Sequence, residues 1–418
     1  MNRTLTKKLA HVKPGTLYIG VDMGREHNAA VVLNEQAERL AQFRFPNDGG
    51  GYDYFHRRGT ALQQRHQAPA VWVGMEPTNY FWKLLAADLE QRRVAYRLVN
   101  AFTVKKHREG DQLDRSKDDA RDAFTIADLL RTGKFTETQL LHGGYAELRQ
   151  YVALYDRLRR DIRRQKNLID NTVGQLFPEL SGLFKDLTGQ TALAMLRRHA
   201  AAAVVRQMPV ERFIAGVRAD LRGRRLMLSQ LHRAHALATT SIGLQQGVQA
   251  LQLTLRLLIE TLEALQSQIR TVQRALLETF LALPESRYWL SIPGLGAITA
   301  AIILAEIGDP SRYHNARQWI KLAGIQPVPN TSGRKTRSRT PMSHKGRARL
   351  RTALYFAVLR LVQLDQAFAR VYQRFQQREQ NPLTKMQALG ALMNRLLRIL
   401  WALIRHQRLY APHDQCAA

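Results

Sequence analysis

The chain has 418 residues, with 63 Lys and Arg against 34 Asp and Glu, a formal charge of +29 and 45% hydrophobic residues. That much apolar material excludes wholesale disorder and suffices for two or three domains with real cores, while a charge of this size calls for a polyanionic partner, most commonly nucleic acid. The single cysteine, Cys416, excludes a disulfide framework and a thiolate metal site and fits a reducing compartment.

An anionic membrane is the rival polyanion. The N-terminal stretch MNRTLTKKLAHVKPG is basic, but no apolar segment of signal-peptide type follows it, and no run is expected to reach the length of a membrane span. The chain is therefore expected to be soluble, without a membrane partner, and cytoplasmic and nucleoid-associated in a bacterial cell.

From residue 16, short apolar runs rich in β-branched residues (TLYIGVD, NAAVVLN, AQFRF) are joined by tight connections and predict an antiparallel meander. A helix around residues 52–66, a strand AVWVGME at 70–76, a helix YFWKLLAADLEQR, a strand VAYRLVN and a helix over about 117–131 follow. Three strands and then alternating helices and strands predict one mixed α/β sheet, in the order of the ribonuclease H fold. This first domain is placed at residues 1–140.

Residues 141–283 change to long helical periodicity. Leu244, Val248, Leu251, Leu255, Leu258, Leu262, Leu265, Ile269, Val272 and Leu276 alternate strictly by four and three, a coiled-coil signature. The helix ELRQYVALYDRLRRDIRRQKNLIDNTVGQLF, ending at Pro178, is either its antiparallel partner or a partner for another subunit. Heptads alone do not separate a spacer or dimerisation arm from an ordinary helical bundle.

Residues 284–418 form a third, mainly α region. SIPGLGAITAA reads as two helical segments around a turn with Gly294 and Gly296. Backbone N–H groups at such a helix N-terminus suit a DNA phosphate, although a plain helix-helix turn has the same look. Between Arg334 and Arg351 there are eight Lys or Arg and no acid, the densest basic patch in the chain.

The acids raise the chemical question. Asp22 ends the first strand and Glu76 ends VWVGME, while Asp119 and Asp122 are three apart and share one helix face. Four carboxylates without His or Cys are the ligand set of the hard cation Mg²⁺. Two such ions can activate an attacking oxygen and stabilise a leaving one at phosphorus. The bland alternative for SKDDARDA is that its acids complement the helix dipole behind Ser116 as N-cap. Asp22 and Glu76 at strand ends tip the reading to a metal site, with Asp118 a rival for Asp119. Ser332 precedes a glycine and a run of cations in NTSGRKTRSR. A serine hydroxyl can attack a phosphodiester there, but most Ser-Gly pairs are only turns.

Six segments together (YIGVDMG, GMEPTNYFW, LVNAFTVKKHREG, SKDDARDA, SIPGLGAITAAIILAEIGD and LAGIQPVPNTSGRKTRSR…SHKGRARLRTAL) resemble, in order and over nearly the whole chain, the DEDD transposases of the insertion-sequence one-ten family. The resemblance implies an N-terminal domain like the Holliday-junction resolvase RuvC, whose acids match Asp22, Glu76, Asp119 and Asp122, holding two Mg²⁺ ions. It implies a C-terminal domain with a helix-hairpin-helix and with Ser332 as a nucleophile forming a covalent phosphoserine. The serine would share a composite site with acids of another domain or another subunit of a dimer or tetramer. It further implies DNA (element ends and target) as substrate and a structured noncoding guide, the bridge RNA, as partner.

Nucleic-acid contacts are expected from Lys105, Lys106, Gly294, Gly296, Arg334, Lys335, Arg337, Arg339, Lys345 and Arg347. Two positions depart from the family pattern: Asn79 stands where Gly is usual and Asp118 where Thr is usual. The rival readings are a RuvC-like nuclease that uses water, which would not need Ser332, and a non-catalytic nucleic-acid-binding protein, which would not need the four acids.

Overall fold

The structure, a computed structural model, describes residues 14–111, 118–136, 140–221, 225–328, 331–332, 335–336 and 341–411. The chain divides into two compact units, Met1–Leu141 and His142–Ala418.

The first unit is built on a five-stranded sheet: β1 (Leu17–Asp22), β2 (His27–Leu33), β3 (Arg39–Pro46), β4 (Val71–Met75) and β5 (Ala95–Leu98), in spatial order β3-β2-β1-β4-β5. β2 runs antiparallel to both β1 and β3, whereas β1, β4 and β5 are parallel. This is the mixed sheet expected of a ribonuclease H-like fold. The central strands LYIGVD and VWVGM are almost wholly buried, so they read as continuous apolar runs rather than alternating ones. One sheet face is covered by α1 (Gly49–Arg65) and α2 (Phe81–Gln91), with Phe43, Phe45, Tyr52 and Phe55 in that core. After α3 (Ala101–Asp111) comes α4 (Asp119–Arg131), which packs against β1 and β2.

Two glycines decide how closely α4 lies. Gly20 of β1 and Gly74 of β4 are register partners. A Cβ built on Gly20 would come closer than 3.0 Å to the Ala123 carbonyl oxygen and the Ala127 nitrogen of α4. One on Gly74 would sit 3.1 Å from Ile126 Cγ2. The missing side chains form a shallow seat in the sheet, and the helix backbone rests in it.

The second unit is helical. α5 (Gly143–Leu176) leads to α6 (Leu180–Leu183), α7 (Gln190–Arg198), α8 (Ala202–Val205), α9 (Val210–Leu221) and α10 (Leu228–Ala238), and the chain returns along α11 (Val248–Ala282). α5 and α11 are antiparallel partners within the chain. The pairing is marked by Leu244 N–H donating to the Gln175 carbonyl (2.8 Å), Gln165 Nε2 to the Leu258 carbonyl (2.9 Å) and Tyr145 Oη to Glu285 Oε1 (2.8 Å). Each helix is about 50 Å long at 1.5 Å per residue. Of the heptad residues, Leu255, Leu262, Val272 and Leu276 are buried, while Leu244 is exposed and precedes the helix.

One core, at the α6–α10 end, gathers Ile169, Phe177, Phe213, Leu255 and Leu262. A second gathers Leu148, Phe280, Trp289, Trp319 and Leu400 around α12 (Glu285–Trp289), α13 (Ala297–Ile307), α14 (Ala316–Ala323), α15 (Ala348–Leu364), α16 (Gln366–Gln377) and α17 (Lys385–His406).

α17 corrects one expectation, since by length and composition it could cross a membrane. Its Leu389, Leu392, Leu396 and Leu400 are buried in the second core, which accounts for the apolar run.

Candidate active site

β1 and β4 are parallel neighbours, with Val21 opposite Met75, so Asp22 and Glu76 leave adjacent strand ends side by side. α4, lying over Gly20 and Gly74, carries Asp119 and Asp122 in its first turn. Asp22, Glu76, Asp119 and Asp122 all line one cleft of ≈ 430 Å³, together with Gly24, His27, Thr78, Asn79, Val104 and Lys105. Asp122 is buried at 7% exposure and Asp22 and Glu76 are half-buried. Asp119 is exposed, and its Oδ2 lies 3.4 Å from Nη2 of Arg44 on β3.

The donor set is chemically suited to a divalent cation: four carboxylates, no thiolate, and one imidazole among the lining residues. Among the described residues no three His, Cys, Asp or Glu side chains are drawn together closely enough to enclose an ion. The carboxylates therefore share a cleft rather than a finished coordination shell. With Lys105 and the Arg44–Asp119 pair at hand, the cleft mixes both signs of charge.

The serine segment belongs to the second unit. β6 (Thr331–Ser332) and β7 (Lys335–Thr336) pair antiparallel, Thr331 with Thr336 and Ser332 with Lys335, and Pro327 bridges Met342 further down. Ser332 thus lies on a strand paired antiparallel with β7, not on a helix. Arg334, Arg337 and Arg339 lie outside the described residues, and of Lys335 only the backbone is described. Lys345 is exposed.

Arg347 turns inward. Its Nη1 donates to the Glu306 carbonyl oxygen and lies 3.8 Å from Glu306 Oε2. Gly294 sits at φ +88° between the one-turn helix α12 and α13, and Gly296 is the N-cap of α13 with open space around it. With five residues in α12, two full helices flanking a hairpin are not established there.

Two family models match the chain: a DEDD transposase model of the IS110 type over residues 19–178, and a model described as transposase, IS116/IS110/IS902 family, over residues 286–373. Together they span more than half of it. The chain belongs to the IS110 transposase family.

Among its relatives, the 44.8 kDa protein of insertion element IS116 of Streptomyces clavuligerus is 26% identical over 95% of this chain and 96% of its own length. The 42 kDa protein of insertion element IS900 of Mycobacterium paratuberculosis is 27% identical over 96% and 99%. The pilin gene-inverting protein of Moraxella lacunata is 33% identical over 32% and 41%. A structure of T. thermophilus RuvC in complex with Holliday junction substrate overlaps 29% of this chain and 98% of that one, at 13% identity and a TM-score of 0.22. At that score the likeness carries no weight, and the strand order speaks for itself.

Both departures from the IS110 pattern have a structural reason. Asn79 sits at φ +53°, the left-handed region that Gly favours and Asn tolerates, and its Oδ1 accepts the Phe81 N–H at 2.7 Å. Asp118 is the N-cap of α4, its Oδ1 accepting the Ala120 N–H at 3.2 Å. It does the work that a Thr there also does. Asp119, not Asp118, lines the cleft, and Ser116 lies outside the described residues.

Three features of this transposase are not evident in the sequence. The glycine seat under α4 is one, and Arg44 beside Asp119 is another. The third is a charge network on Glu306, which is buried and accepts from Arg349 Nη1 at 2.8 Å, while Arg149 of α5 donates to the carbonyls of Ala305 (2.8 Å) and Glu306 (3.0 Å) at the end of α13. Burial, and after it the charge of Arg347, pushes the Arg149 guanidinium down to about 10, still charged at neutral pH. The network ties the arm helix α5 to the base of the serine hairpin. Its only sequence signal is a row of arginines, which reads equally as a nucleic-acid patch.

Proposed function

We propose that this transposase breaks and rejoins DNA at the ends of its insertion element through a covalent phosphoserine on Ser332, in a site completed by Asp22, Glu76, Asp119 and Asp122. The observation that carries the reading is the shared cleft of the four carboxylates. A pure phosphate binder gains nothing from them. Two divalent ions, Mg²⁺ in this reading, would be held by these carboxylates and would supply positive charge to the scissile phosphate.

The chain's own residues do the rest. Lys105 in the cleft, and the basic stretch of sequence that carries Arg334, Lys335, Arg337, Arg339 and Lys345, draw in the phosphate backbone. Lys106 and the amides of the Gly294–Gly296 turn add duplex contacts without reading sequence. The Ser332 oxygen replaces one ester oxygen at phosphorus, and the displaced sugar oxygen leaves as a hydroxyl with the proton the serine gave up. Because one phosphodiester is exchanged for another, a hydroxyl on a second strand can reverse the step and seal the recombined product.

Choice of DNA by a noncoding bridge RNA, and assembly as a homo-oligomer (dimer or tetramer) whose serine and carboxylates come together, follow from the family resemblance. The +29 charge is compatible with holding two nucleic acids.

The test is an adduct assay. Purified protein, element-end DNA, the flanking noncoding transcript and Mg²⁺ are incubated, denatured and probed for DNA on the protein. A Mg²⁺-dependent adduct lost in Ser332→Ala and in Asp22→Ala is expected. Free cleavage products without an adduct, equal in wild type and Ser332→Ala, would sink the serine mechanism in favour of a water-dependent nuclease. An adduct that forms without the transcript would sink the guide.

A further inference from the structure

Two exposed aromatic rings, which folding does not explain, stand close in sequence to residues that line the carboxylate cleft. Tyr80 is 61% exposed and Phe102 is 63% exposed. Each belongs to a segment that lines the cleft: Tyr80 follows Thr78 and Asn79, and Phe102 precedes Lys105 by one helical turn on the same face of α3.

Neither ring is loosely placed. The left-handed turn at Asn79, fixed by its bond to the Phe81 N–H, sets the direction in which Tyr80 leaves the chain. The Tyr80 ring is backed by Phe81, with centroids 4.3 Å apart, and Phe81 packs on the sheet core. Lys106 Nζ lies 4.8 Å from the Phe102 ring centroid, so cation and aromatic face occur together.

We infer that Tyr80 and Phe102 form a stacking lip that grips an unpaired base of the DNA strand being cut. The inference rests on the strand-breaking reading above. Every base has a π-face, so an exposed ring binds it without regard to sequence, and neighbouring cations hold the backbone phosphates. In an intact duplex those faces are covered, so such a ring finds a partner only where a base is unpaired, at an end or extruded. A strand that leaves its partner for exchange passes through such a state.

The experiment uses the full-length protein without divalent metal, so that no strand is cut, and measures binding of a short labelled single-stranded DNA, the matching duplex and the same strand as RNA. Tyr80→Ala and Phe102→Ala are each expected to weaken single-stranded DNA binding roughly 5- to 150-fold, the loss of one base–aromatic stack. Both should leave duplex binding and the melting temperature as they were, while Tyr80→Trp and Phe102→Trp retain affinity. An abasic position that weakens wild-type binding should weaken the matching Ala variant no further.

Unchanged binding, equal losses on single strand and duplex, additive abasic losses, losses confined to RNA, or an altered oligomeric state without a change in DNA binding would each overturn the lip. The two readings fail separately. If Asp22→Ala still cuts DNA, the metal site falls whatever Tyr80→Ala does, whereas unaltered single-strand binding by Tyr80→Ala removes the lip alone.

Discussion

Gly20→Ala is the sharpest probe of how the cleft is assembled. In an ordinary strand this change is favourable by roughly 0.4–1 kcal/mol, because the unfolded chain loses freedom. At Gly20 the new methyl falls closer than 3.0 Å to the Ala123 oxygen and the Ala127 nitrogen, both backbone atoms of α4, which cannot rotate away. The helix must rise by on the order of 1 Å, and overpacking of this kind costs about 1–3 kcal/mol. The net is a loss of roughly 1–2 kcal/mol, or about 3–8 °C in melting temperature of the first unit.

The same rise carries Asp119 and Asp122 away from Asp22 and Glu76. A displacement near 1 Å at a reacting centre costs on the order of 10²-fold in rate. Differential scanning calorimetry and the Mg²⁺-dependent adduct assay, run side by side, should therefore show activity falling much further than stability. Gly74→Ala is the milder comparison, because its methyl comes nearest to side-chain atoms of Ile126 and Leu130, at 3.1–3.4 Å, rather than to the helix backbone. A Gly20→Ala protein that melts at or above the wild type and breaks DNA undiminished would refute the glycine seat.

Three further outcomes are expected. Asp118→Ala should lose about 1 kcal/mol of stability with its cap while Asp118→Asn loses neither stability nor breakage; if Asp118→Asn abolishes breakage in a folded protein, Asp118 has displaced Asp119 from the site. Arg44→Gln should change stability by less than about 1 kcal/mol, because both partners are more than half exposed. It should also lower the Mg²⁺ concentration needed in a binding titration, and an unmoved titration would show that Arg44 does not compete for Asp119. Glu285 is buried, which pushes its carboxyl up against the opposing hydrogen bond from Tyr145. The folded chain thus keeps a proton that the unfolded chain has released, and stability falls as pH rises from the ordinary glutamate range through the folded pKa. Glu285→Gln, which keeps an oxygen for Tyr145, should melt above wild type at neutral pH and level with it in acid. A constant difference at all pH values would remove Glu285 as the cause.

The candidate site was legible in the sequence where chemistry and position coincide. Asp22 and Glu76 could be found because they end apolar strand runs, and Asp119 with Asp122 because a spacing of three puts them on one helical face. The β3-β2-β1-β4-β5 order followed from three strands in tight succession and two more separated by helices. What remained illegible depends on what passes over a residue rather than on the residue. Gly20 and Gly74 look like ordinary strand glycines until α4 is seen resting on them.

Arg347 reads as one more cation in a basic run, yet it faces Glu306, forty-one residues back. Between Ser116 and Asp118, both good caps, only the helix start decides. The heptads of α11 could not name α5 as their partner, because a leucine stripe suits any matching stripe, and the choice is made by the chain folding back from α5 through α10.

That return path has a consequence for chain length. The chain departs at Gln175 and comes back at Leu244, joined by one 2.8 Å backbone hydrogen bond. Everything between is an excursion whose entrance and exit coincide. Lengthening such an excursion costs only about 0.6 kcal/mol per doubling in closure entropy. Closure entropy therefore sets little limit on the length of the stretch from 177 to 243, so long as Ile169, Val173, Leu255, Ile259 and Leu262 keep an apolar cover. A change of length there leaves α5 and α11 paired as they are, because the excursion leaves and rejoins the pair at one point.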